Sequence, residues 1–188
     1  MTSMPVIKID TASVEDRAEI GILCIRQGLL EQGQLILKSC CDSYFRKEQN
    51  PPLEWYYFLG LSYLGLHNYF RAQMCFAFCC RFKVSQPFAT YYLAIAKVLQ
   101  NKHNEAIVHL YRLTEAYPNF APIWHLLGQI YLENQELTKA ISCFKQVISL
   151  KPNFRPAYDI LCNLLYYVGS MKELRKYKKM SYAIPSPA

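Results

Sequence analysis

Apolar residues along this chain recur at helical spacing, and the pattern itself returns every 34 residues. Four segments, beginning at Leu53, Pro87, Ala121 and Arg155, share one register. The eighth residue of each is small: Gly60, Ala94, Gly128 and Cys162. The twentieth is Ala72, Ala106, Ala140 and, out of pattern, Leu174. Small residues at two offsets twelve apart are what a pair of antiparallel helices needs where their backbones approach. Around them stand apolar residues: Tyr56, Leu59, Tyr63 and Phe76 in one copy, Trp124, Leu127, Tyr131 and Phe144 in another. Pro118 and Pro152 close their repeats, since proline ends a helix that it cannot continue. Each repeat therefore predicts a first helix of about 14 residues and a second of roughly 12.

The flanks are less regular. Residues Met1 to Ser13 lack a helical period and read as a mobile arm. Within it, Pro5-Val6-Ile7-Lys8-Ile9 alternates in polarity and could instead lie extended against another surface. Glu15 to about Gln32 and Leu35 to about Arg46 are expected to form a first hairpin that turns at Gly33. Here Arg26 and Lys38 occupy the two small-residue offsets. The hairpin is either a degenerate repeat that no longer packs on both sides or a cap in a shifted register. Pro51-Pro52 excludes helix and delivers the chain into the regular repeats. The last second helix, Met171 to Tyr182, carries Lys and Arg where inner copies are apolar, as a solvating cap would. Residues 183–188 read as a frayed tail. The expectation is one domain over 14–182: a hairpin at 14–50, repeats from 53, 87 and 121, and a capping repeat from 155.

These residues resemble the tetratricopeptide repeat family. The fullest match is Trp124-x2-Leu127-Gly128-x2-Tyr131, followed by Ala140-x3-Phe144 and Pro152. The resemblance implies an all-α fold, a right-handed superhelical stack of antiparallel helix pairs whose first helices line a concave groove. The family's lining positions fall here on Tyr57, Leu61 and Leu64, then Phe88, Tyr91, Ile95 and Val98. Further on they fall on His125, Gln129 and Glu133, then Asp159 and Asn163. The wall is thus expected to be aromatic and aliphatic in its middle and polar toward its end. Such a wall suits a peptide anchored by apolar side chains and oriented by a few hydrogen bonds. The Lys and Asn clamp of heat-shock co-chaperones is missing, with Leu23 and Gln27, Phe58, Phe88 and Tyr92 in its place. A narrower similarity covers Phe58-Leu59-Gly60-Leu61, Tyr69, Ala72, Phe76, Pro87 and Tyr91-Tyr92-x-Ala94. These look like the repeats of bacterial type III secretion translocator chaperones, which hold an extended client segment in their groove.

Composition sharpens this reading mainly by exclusion. At 188 residues and 52% apolar, the chain can bury a sizeable core. Neither a targeting segment nor a run of roughly 20 apolar residues is present, so a soluble cytosolic protein without a membrane span is expected. The eight cysteines include no C-x-x-C and do not combine with the four histidines at zinc spacing. They read as reduced core filler. His125 with Glu133 is the nearest approach to an acid–base pair, and nucleophile, phosphate-loop and metalloprotease motifs are missing. A non-enzyme with no cofactor, no metal and no small-molecule substrate is expected.

Three functions remain. The first is an adaptor or chaperone that holds a peptide segment of a partner protein. The second is an assembly subunit or homodimer joined through the end repeats, where Tyr166, Tyr167 and Tyr177 cluster. The third is nucleic-acid or acidic-surface binding through Lys172 to Lys179. From Arg155 onward, six basic residues face only Asp159 and Glu173, so over half of the net +7 lies there. A solvated helix face explains that charge more simply.

Overall fold

The computed structural model describes residues 13–81 and 87–184. Most of the expected arm, and residues 185–188 of the expected tail, lie outside the described residues. Ten helices run through the rest: α1 (Val14–Arg26), α2 (Leu30–Phe45), α3 (Leu53–Gly65), α4 (Tyr69–Arg81) and α5 (Pro87–Val98). Then come α6 (His103–Ala116), α7 (Ala121–Glu133), α8 (Leu137–Leu150), α9 (Arg155–Tyr167) and α10 (Met171–Tyr182). The protein is all-α. The helices divide into two compact units, residues 1–102 with α1–α5 and residues 103–188 with α6–α10. Each is described by itself.

In the first unit, sequential helices pack as antiparallel hairpins, with α3 against α2, α4 and α5. The small-residue rule has a direct physical basis here. A Cβ on Gly60 would come within 2.7 Å of the Phe76 ring, so only glycine lets α4 lie this close to α3. Leu37, Phe76 and Ala72 are fully buried, and Trp55, Phe58, Leu59 and Tyr63 complete the core. Tyr44 of α2 sets its ring edge-on to Trp55 at 5.0 Å and donates its hydroxyl to Glu15 at 2.7 Å. That hydrogen bond holds the Glu15 carboxyl below its ordinary range.

The first hairpin corrects two expectations. Gly33 is not at the turn; it is buried within α2, and the chain reverses at residues 27–29. Nor do Arg26 and Lys38 hold the small-residue positions. A Cβ on Gly33 would lie 2.6 Å from the Gly21 carbonyl oxygen, so Gly21 and Gly33, twelve apart, make the close approach. The hairpin is a repeat in a shifted register.

The turns confirm the offset. Gly28, His67, Asn101, Gln135 and Gly169 all adopt positive φ just after a first helix. In each case the next amide reaches back five residues: Leu29 to Cys24, Asn68 to Tyr63, Lys102 to Lys97, Glu136 to Tyr131 and Ser170 to Leu165. This closure caps the carbonyls that a helix end leaves free. The last four turns are spaced by 34, whereas Gly28 precedes His67 by 39. The five extra residues sit behind Gly33: against α6 and α8 and the segments that follow them, two lie in the longer α2 and three in the segment 46–52.

The second unit is the more regular. Phe144 fits against Gly128, where a Cβ would be 3.0 Å from the ring, and Ile123, Leu127, Ile130, Val147, Tyr158 and Leu161 fill the core. The α10 boundaries agree with the sequence reading. Its basic residues are exposed, and Glu173 pairs with Lys145 of α8 at 2.7 Å.

Candidate functional site

The twelve expected lining residues fall into two sets. In the first unit, Tyr57, Leu61 and Leu64 stand at i, i+4 and i+7 on α3, and Tyr91, Ile95 and Val98 at the same spacing on α5. Phe88 precedes them by one turn and is exposed. The other six are half-buried. Tyr57 belongs partly to the core: its ring lies 5.4 Å from Phe58 and 6.0 Å from both Phe76 and Tyr92. Burial first, and the neighbouring Tyr92 second, push its hydroxyl up to about 12. Burial likewise raises Tyr91, whose ring meets Tyr92 edge-on at 5.6 Å. This wall is a sheet of aromatic rings, partly spent on its own packing.

In the second unit, Gln129, Glu133, Asp159 and Asn163 are exposed and His125 is half-buried. The His125 ring stands edge-on to Phe144 at 5.7 Å and to Phe154 at 5.6 Å, and burial lowers its pKa. Glu133, expected beside His125, instead meets His103 of α6, with Oε2 3.2 Å from Nε2. The other nitrogen of His103 lies 2.9 Å from Asn134 Oδ1. His103 therefore ties the start of α6 to the end of α7. Sequence reading missed it, because its partners are about thirty residues away.

Between α7 and α9 lies a cavity of about 570 Å³ lined by Leu132, Leu137, Ile160, Leu164 and Tyr167, with Gln135 and Asn163 at its edge. The polar character expected for this end is thus only its rim. Leu132 and Tyr167 stand at lining offsets, but Leu137, Ile160 and Leu164 do not. They reach the cavity because the gap between two adjacent hairpins is floored by residues that normally touch the neighbour.

Burial pushes the thiols of Cys41 and Cys75 up to about 12 and those of Cys79 and Cys143 to about 11, so they stay protonated at neutral pH. Among the described residues, no His, Cys, Asp and Glu side chains gather into a metal-binding group. None of the described helices is long and apolar enough to cross a membrane. With the register corrected, the clamp positions of the first hairpin move from Leu23 and Gln27 to Ala18 and Ile22, both buried. The clamp is missing there too.

Residues 88–119 and 121–154 each match the tetratricopeptide repeat family. Both of these segments are tetratricopeptide repeats. Such repeats form protein-interaction modules, and the solved structures that this chain resembles share the arrangement. MamA from Desulfovibrio magneticus RS-1 matches with a TM-score of 0.77 at 21% identity, over 91% of this chain and 94% of that one. A MamA RS-1 double mutant gives 0.78 at 19% identity, over 91% and 93%. At such identities the likeness concerns the fold. A curated relative from Giardia intestinalis, a UDP-N-acetylglucosamine–peptide N-acetylglucosaminyltransferase, is 30% identical over 103 residues. The match spans 53% of this chain but only 7% of that enzyme.

Proposed function

We propose that this chain is a non-enzymatic adaptor or chaperone of the cytosol that holds a partly apolar peptide segment of a partner protein. The observation that carries the reading is the cavity between α7 and α9. Its five apolar side chains would take the anchoring residue of the peptide, and Asn163 and Gln135 at the rim would bond its backbone. The exposed Phe88 and the half-buried Tyr91 and Ile95 of the first unit offer a second apolar surface of the same kind. The resemblance to translocator chaperones agrees with an extended client.

The test is to select peptides from a random library against the wild-type chain and titrate the best of them against variants. Leu132→Ser with Tyr167→Ser should weaken binding at least about tenfold, the worth of one apolar anchor. Asn163→Ala should weaken it less, and melting temperatures should hold, since Tyr167 is 79% exposed. Selected peptides that bind all these variants as tightly as the wild type would remove the cavity from the proposal.

A further inference from the structure

The two outward faces of the repeats, one on α1 and one on α9–α10, break the packing rule of the inner repeats in opposite ways. Leu23 holds the offset of Ser62, Ala96, Ile130 and Leu164, which are all buried, yet it is 53% exposed. One turn earlier, Glu19 replaces the buried Phe58 and Leu126. These residues line a hollow of about 690 Å³ in which Asp16, Glu19 and Glu54 outnumber Arg26. Its floor is apolar, made of Ile20, Ile22 and Leu23.

The α9–α10 face carries the reverse charge. Lys178 stands where Phe76, Leu110 and Phe144 are fully buried. Tyr182 is 71% exposed where its counterpart Ile148 is buried. A hollow of about 320 Å³ opens there, with Arg155 and Lys178 against Asp159, and with Leu174, Tyr166 and Tyr182 supplying apolar surface. By the 34-residue register, this is the side on which each inner repeat receives the first helix of the next.

We propose that a second copy of this chain docks its α1 face on the α9–α10 face, in the place that the first helix of a following repeat would take. Leu23 and Ile20 then cover Leu174 and Tyr182, and the carboxylates of Asp16 and Glu19 lie opposite Lys178 and Arg155. The two patches differ, so the contact is heterologous and each joined copy leaves both kinds of face open for another. The charged rim sets register and direction, and salt weakens it. This interaction goes beyond peptide holding, and of the residues lining the two hollows on α9 only Asn163 is shared, so either can fail alone.

Sedimentation velocity at low and high salt tests the proposal with a charge swap. The wild type should associate progressively with concentration at low salt. Glu19→Lys alone and Lys178→Glu alone should each weaken association by roughly tenfold, because like charges then oppose. An equimolar mixture of the two variants should recover progressive association, with the two variants alternating, and the chain carrying both substitutions should associate like the wild type. Both positions are exposed, so circular dichroism melts should be unchanged. A wild type that stays monomeric, or single variants that associate undiminished, would overturn the proposal. So would a mixture that fails to associate.

Discussion

The α3–α5 wall and the α7–α9 wall use the same repeat offsets and end in different surfaces. On α3 and α5 the offsets hold Tyr57, Tyr91 and their aliphatic neighbours, which are half-buried and lean on Phe58, Phe76 and Tyr92. On α7 and α9 they hold polar residues apart from Leu132 and Tyr167, and the apolar character lies in a hollow floored by Ile160 and Leu164. The rings on α3 and α5 pack on one another and on the core, whereas Tyr167 at the cavity stays exposed. A residue's place in the repeat thus fixes where it points, and the neighbours it meets decide whether a cavity remains.

The sharpest way to break this comparison is to disturb the close approaches on which both walls rest. Gly128→Leu should destabilise the second unit by about 1–3 kcal/mol through overpacking. Gly33→Leu should cost the first unit at least as much, because its Cβ would meet backbone as well as side chain. Lys38→Leu, at an exposed position, should fall within about 0.5 kcal/mol. Urea melts that found Lys38 sensitive and Gly33 tolerant would return the first hairpin to the unshifted register.

A smaller effect separates the aromatic residues of the two walls. Tyr57→Ser should lose roughly 1–2 kcal/mol, since it removes buried area and three ring contacts. Tyr167→Ser should be almost silent in the same melts. If both changed stability equally, the distinction between a packed wall and an open one would be lost.

The smallest expected effect is a pH slope specific to the second unit. Burial lowers the His125 pKa in the folded state below its unfolded value near 6.5. As pH falls through that value, the unfolded chain binds a proton that the folded chain still refuses, so stability declines toward acid. It is retained in full above about 6.5. His125→Gln should flatten this decline between neutral pH and the lowered pKa, when melts are compared across pH. An unchanged slope would mean that other groups set it.

Much of the fold was legible because steric need repeats. Gly60 and Gly128 mark close approaches that the structure contains, to Phe76 and Phe144, Ala72 and Ala140 are fully buried, and the prolines after α6 and α8 lie just outside their helices. The first hairpin was misplaced because a fixed 34-residue step carried the register past five additional residues. Gly21 and Gly33 kept the twelve-residue spacing all along and were the available signal. The candidate site was legible only in outline. Leu132 shares its offset with Leu64 and Val98, and Tyr167 with Glu133, but the floor of the cavity and the His103–Glu133 contact depend on which neighbours meet across hairpins, information that one repeat does not contain.

The five additional residues also have a practical consequence. They lie entirely behind the Gly21–Gly33 contact, in the tail of α2 and the segment 46–52. Extra length at that point is taken up as slack between two hairpins, and neither helix pair has to move. A short tag or reporter spliced into residues 46–50, which are all exposed, would meet the same tolerance. That stretch is the natural handle by which to hold this protein without touching either wall.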